Sequence, residues 1–414
     1  MRVATFYAEA AVPRYHCGGY WNETKLLSTE AKITSKIEVC QHQTMRLMRQ
    51  ADGEAFYRIY SGGMRAAEPE DNAWHIEPIF DQGQPCAKGF LSAEMLSAFF
   101  KQYGFKFIAF SRIVWTNGYF HSSWCPIIPS QTNHLRGPAD LWGSIATNLS
   151  NEQRQDILSN MVRPTHQQIA TVLDNRTEAE RLARSISLSL RSMDISVEQI
   201  TEFYNEQLVN HMASGSLESQ RISTSLDQNL FAHVHSFFMQ LGAARDYLAS
   251  LCALRIGKNP EKIDSFARLT DVIRSENFAS DELLQLFYAR GYFGRKPASA
   301  AKFEISGWMK EVTDLRNEFM HRRPYGDRFA EQMGFAEPID RDAGVFRYVR
   351  PIVIANREDD VQNLILRHYR EMTDMCYAAA VTSGMDSSIL TFGKDDIISI
   401  DPKSRNSASS SPSE

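Results

Sequence analysis

Leu230–Cys252, LFAHVHSFFMQLGAARDYLASLC, is the stretch on which the reading of the fold turns. Leu230, Val234, Phe237, Phe238, Leu241, Leu248, Leu251 and Cys252 recur at i, i+3/i+4 and i+7, which predicts one long amphipathic helix. Downstream, shorter helical patterns cover Pro260–Arg274 and Ser280–Arg290. A further helix is predicted from Ala301 to Arg323 on the stripe Ile305, Trp308, Val312, Leu315 and Phe319. Pro324-Tyr325-Gly326 ends it, since proline cannot continue a helix and glycine closes one. An extended stretch at Tyr348–Ala355 and a last helix at Asp359–Val381 follow. Several antiparallel amphipathic helices bury their faces most simply as a bundle.

Upstream of this unit, Ala213–Asp227 is polar and serine-rich and reads as a boundary. Residues 140–213 are helical in pattern. Leu182, Ile186 and Leu190 repeat within Thr177–Arg191, and a second helix start is read at Ser196, with Glu198 and Ile200 after it. Residues 1–125 mix β-leaning runs (Val3–Tyr7, Ile33–Val39, Ala55–Tyr60, Phe105–Val114) with a helix at Ser92–Gln102. The turn-rich segment Pro126–Pro138 closes that part. The expectation is an α+β chain: a mixed α/β domain over 1–137, a helical region over 138–215, an all-α bundle over 225–385 and a disordered tail over 403–414.

Composition narrows the function. With 43% hydrophobic and 23% charged residues, the 414-residue chain is neither collagen-like nor wholly disordered. With a net charge of −5 the whole surface is not a general polyanion trap, so any RNA contact needs a local patch. Arginine supplies 32 of the 45 basic residues, the type that grips phosphate bidentately. Six scattered cysteines form no CxxC pair, which argues against a disulfide framework or zinc ribbon. The absence of a basic-then-apolar opening and of an 18-residue apolar run predicts a cytoplasmic protein without a membrane span. Walker, GxGxxG, HExxH and GxSxG motifs are missing from the sequence.

One motif carries chemistry: Leu315-Arg316-Asn317-Glu318-Phe319-Met320-His321-Arg322. On a regular helix Leu315 and Phe319 face the core. Asn317 and His321 lie about 40° apart on the outer face, with Arg316 on the flank. Histidine serves as general acid or base near neutral pH, arginine neutralises a charged phosphorane, and asparagine orients the imidazole or donates to a phosphate oxygen. With RNA the 2′-hydroxyl is a built-in nucleophile, so no metal and no cofactor is needed. Arg-Asn with His four residues after Asn is expected by chance roughly 0.04 times in such a chain. A stripe on the preceding long helix, His235, Met239, Gly242, Asp246, Ala249 and Ala253, offers support. Small residues admit a close neighbour, and Asp246 is placed to orient His321 or to pair with Arg316. Arg322 and His235 complete the supporting set. Weaker candidates are His16-Cys17 and His121 with Cys125 as metal ligands, and the aromatic run Trp115–Trp124 as a base-stacking loop.

The Arg316-Asn317-x-x-x-His321 stretch, late in a helical unit opening with Phe231–Arg255, resembles the HEPN superfamily (higher eukaryotes and prokaryotes nucleotide-binding) over residues 225–385. The resemblance implies a metal-independent endoribonuclease acting as a homodimer, often a toxin or antiviral effector, with Arg316, Asn317 and His321 at its site. Other members of that superfamily are non-catalytic scaffolds, the alternative that the resemblance equally allows. Residues 1–224 show no resemblance.

Overall fold

The computed structural model describes residues 52–389 apart from 71–72, 82–83, 86–90, 117–118, 130–135, 162–164, 218, 298 and 355–356. The expectations for Val3–Tyr7, Ile33–Val39, His16, Cys17, Cys40, Cys86 and the tail from Lys403 lie outside the described residues, as do the side chains of 115–121.

The architecture is α+β. Strands β1 (Asp52–Tyr60), β2 (Arg65–Glu70) and β3 (Ala73–Glu77) precede a two-residue pair, β4 (Phe80–Asp81) and β5 (Gln84–Pro85), and helix α1 (Ala93–Gln102). After α1 come β6 (Phe107–Thr116) and β7 (Tyr119–Pro126). The larger sheet is antiparallel in the order β3-β2-β1-β6-β7. Helix α1 begins where the sequence predicts, with the Ser92 hydroxyl accepting from the Met95 amide. Its Leu96 and Phe100 are buried at i, i+4, and the Phe100 ring stacks on Tyr60 of β1 at 3.5 Å between centroids.

Helices α2 (Pro138–Ser159), α3 (His166–Asp174) and α4 (Glu178–Ser214) follow. The second start read at Ser196 is corrected: α4 runs unbroken for 37 residues, and the Ser196 hydroxyl donates to the Ser192 carbonyl one turn back. A serine that can cap a helix also tolerates its interior by that back-bond. The stripe Leu182, Ile186, Leu190, Met193, Val197 and Ile200 passes through the position without a break.

Helix α5 (Asp227–Arg255) packs along α4, and the boundary segment joins two helices of one continuous apolar core. Then come α6 (Phe266–Val272), α7 (Ser275–Ser280), α8 (Glu282–Ala289), the hairpin β8 (Phe293–Lys296) with β9 (Ser299–Ile305), and α9 (Gly307–Asn317). The hairpins β10 (Phe335–Asp340) with β11 (Val345–Val349), and β12 (Pro351–Ile354) with β13 (Arg357–Asp360), precede the last helix, α10 (Val361–Thr382). Three hairpins thus interrupt the C-terminal unit expected as an all-α bundle; β11 and β12 fall on the extended stretch read at Tyr348–Ala355, and the other strands were not foreseen. The helix predicted from Ala301 starts instead at Gly307, because Phe303 is buried between exposed Lys302 and Glu304, the two-residue period of a strand.

The sheet is fastened to the helices at the Gly62-Gly63 turn. The Gly62 amide donates to Gln362 Oε1 at 2.7 Å, and Asn205 Nδ2 donates to the Gly63 carbonyl at 2.7 Å. Gly63 has φ +86°, and a Cβ there would stand 2.5 Å from the Tyr204 carbonyl oxygen. Strain and a backbone clash act together at this point, at about 1–3 kcal/mol for the left-handed conformation alone. Gly63→Ala should therefore lower the melting temperature by several degrees. An unchanged melting curve would show that the turn does not join sheet to helices.

Candidate functional site

Helix α9 is held between α5 and α10. Its Trp308 indole donates to His368 Nδ1 at 2.9 Å, and Glu311 pairs with Arg367. Burial lowers the His368 pKa to about 3, so the ring stays neutral and accepts that bond. On the other side Arg245, 3% exposed, sends Nη1 to Thr313 Oγ1 at 2.7 Å and two nitrogens to Asp246 Oδ1 at 2.8 and 3.0 Å.

Arg316, expected on the flank, leans inward. Its side chain lies half-buried across α5: a Cβ on Gly242 would meet Arg316 Cδ and Nε at 2.7 Å. The guanidinium stands 3.8 Å from Asp246 Oδ2, and its buried Nε has no hydrogen-bond partner. Burial raises the Asp246 carboxyl above its ordinary value, opposed by Arg245 and Arg316. Of the two roles expected for Asp246, pairing with Arg316 is found, beside a bond from its neighbour Arg245, and no hydrogen bond joins it to His321. Of the small-residue stripe, Gly242, Ala249 and Ala253 are buried, whereas Met239 is 46% exposed.

After Asn317 the helix widens into a π-turn, Glu318–Arg322, closed by the Arg323 amide donating to the Glu318 carbonyl at 2.7 Å. Phe319 anchors it inward against Phe238, with ring centroids 4.8 Å apart. The wider turn changes the regular-wheel relation of Asn317 to His321, and both side chains are exposed without a side-chain hydrogen bond. Arg322 is 74% exposed and 3.8 Å from Glu318. The structure therefore puts Arg316 and Asp246 in contact, with Asn317 and His321 standing free at the same helix end.

The chain next turns at Pro324–Asp327 and, with the start of α5, encloses an open groove of about 680 Å³. His235 lines it against the Tyr325 backbone, and burial pulls its pKa below the ordinary value. The sequence reading placed His235 beside the motif but missed the groove. Its signal was the Pro-Tyr-Gly turn, whose Gly326 backbone lies on the Phe231 ring.

Trp124, from the aromatic run, belongs to strand β7 and donates its indole N–H to Tyr369 at 2.9 Å. Burial raises the Cys125 thiol pKa to about 12, which disfavours a thiolate ligand. Among the described residues no three His, Cys, Asp or Glu side chains gather as a metal site, and no helix is long and apolar enough to cross a membrane. Comparisons with protein-family models, with curated proteins and with solved structures return no match.

Removing the glycine tests the Arg316 seat. Alanine is the better helix former by about 1 kcal/mol, so Gly242→Ala should not lower the melting temperature. It should displace Arg316, seen as a shifted guanidinium Nε–H resonance. An unmoved resonance would contradict the contact.

Proposed function

We propose that the chain is a metal-independent endoribonuclease of HEPN type, acting through Arg316, Asn317 and His321, in the toxin or antiviral-defence role that the resemblance implies. The observation that carries this reading is the seated Arg316: a guanidinium fixed over Gly242, with an unpartnered Nε, beside an exposed imidazole and amide. A positioned cation stabilises charge as it develops on phosphorus, and a free imidazole transfers protons. The RNA 2′-oxygen attacks phosphorus as its proton leaves to a base, and the P–O5′ bond breaks as the 5′-oxygen gains a proton. The products are a 2′,3′-cyclic phosphate and a 5′-hydroxyl. One imidazole cannot be base and acid at once, so the reading includes a homodimer in which two copies of the exposed helix end meet across a two-fold axis.

The scaffold alternative has an observation of its own. Asp246 already partly neutralises Arg316, a contact that a binding module would keep for structure alone.

His321→Ala should reduce RNA cleavage by about 10²–10⁴-fold with no loss of melting temperature, because the side chain is exposed. Arg316→Ala should be similarly inactive. Wild-type cleavage should continue in EDTA and spare DNA. Full activity in the His321 variant would refute the assignment. The dimer is checked by dilution: sedimentation mass and specific rate should fall together, and a fully active monomer would remove the two-fold site.

A further inference from the structure

The groove beside the π-turn has a chemistry unlike that of the helix end it adjoins. Its lining contains no lysine and no arginine. Gln228, Ala232, Asp327 and Gln332 form an exposed lip, Phe231 offers a half-buried ring, and His235 an imidazole. Asp227 at the base is already satisfied: it accepts from the Ser223 hydroxyl, from the Thr224 amide and hydroxyl, and from Arg350. Arg350 is wholly buried there, 5.5 Å from the Phe231 ring, and its Nη2 has no partner.

The floor is rigid. Tyr325 packs edge-on against Phe231 at 5.5 Å between centroids, and the Gly326 backbone presses on the same ring, where a Cβ would come within 2.9 Å. Gly326 has φ +93°, so the turn both needs glycine and uses its lack of a side chain. The groove wall continues without a gap in sequence from Arg322 and Arg323, both exposed.

We infer that this groove holds one unstacked nucleobase of single-stranded RNA while the adjoining phosphate lies on the cationic helix end. The inference rests on the ribonuclease reading and names the form of its substrate. A lining without cations does not select phosphate. An aromatic floor with amide, imidazole and carboxylate groups around it suits a flat, uncharged base with mixed donors and acceptors. Gln228 offers an amide donor and acceptor, Gln332 keeps its amide oxygen while its nitrogen donates to the Gly326 carbonyl, and His235, bonded to the Tyr325 backbone, keeps one ring nitrogen. The volume exceeds what one base fills, which leaves room for its ribose.

The test uses the full chain carrying His321→Ala, so that RNA is bound and not consumed. Affinities for labelled single-stranded A, C, G and U octamers are compared by fluorescence anisotropy. One octamer should bind at least about tenfold more tightly than the weakest, the scale of one base-aromatic contact. Ala232→Trp and, separately, Gln228→Trp fill the groove from exposed positions, and each should reduce that spread to about twofold at an unchanged melting temperature. Equal affinities before filling, no measurable binding, or an undiminished preference in both filled variants would overturn the inference. Base selection by a chain that does not cut RNA in wild-type form keeps the groove and removes the catalytic reading. Cleavage without base selection does the reverse.

Discussion

The Arg316 side chain of α9 can lie across α5 because position 242 has no side chain, and the placing of the candidate cation follows from that contact. The two helices run antiparallel, so one seat sets a ladder: Thr313 against Arg245, Arg316 over Gly242, Phe319 on Phe238, and Tyr325 with Gly326 on Phe231. Each buried phenylalanine contributes about 1.5–3 kcal/mol, so the aromatic rungs supply the energy and the polar rungs the register. The π-turn carries the Phe319 rung and leads on to Tyr325, where the chain leaves the helix and must still bring Tyr325 inward. His321 projects from that turn, and its presentation therefore depends on the same ladder.

The ladder is embedded in a core shared with the sheet. Trp124 of β7 bonds Tyr369 of α10, whose hydroxyl donates to the buried Asp194 of α4. Burial lifts the Asp194 carboxyl to about 7, so the pair is held by shape and hydrogen bonding more than by charge. The Trp142 indole reaches the Cys376 carbonyl at 2.9 Å, tying α2 to the same helix. Helix α10 thus touches the sheet, the middle helices and, through His368, the helix that bears the motif. A disturbance of the sheet has a physical route to the candidate site.

Periodicity made the long elements legible. The stripes of α5, α10 and the first turns of α4 are dense, so their helices and faces follow from the residues. Where two patterns overlap, the reading fails. Ile305 matches the helical stripe of α9 and also the alternation of β9, and pairing with β8 decides for the strand. Ser196 carries the chemistry of a cap, yet the apolar stripe overrides it. At the site, the motif and the value of Asp246 were visible in sequence. The small-residue stripe pointed to a close neighbour, but that the Arg316 side chain itself lies over Gly242 was not visible, because it depends on how two helices far apart in sequence pack. The groove was invisible for the same reason: its two walls lie about ninety residues apart in the chain, from His235 to Pro324.

In the proposed reaction Arg316, Asn317 and His321 cleave RNA by attack of its own 2′-hydroxyl. The most direct measurement is mass spectrometry of the product ends after the purified chain meets a defined single-stranded RNA in excess EDTA. Every upstream fragment should end in a 2′,3′-cyclic phosphate and every downstream one should begin with a 5′-hydroxyl. Intact RNA, or fragments ending in a 3′-hydroxyl and a 5′-phosphate, would contradict this reaction.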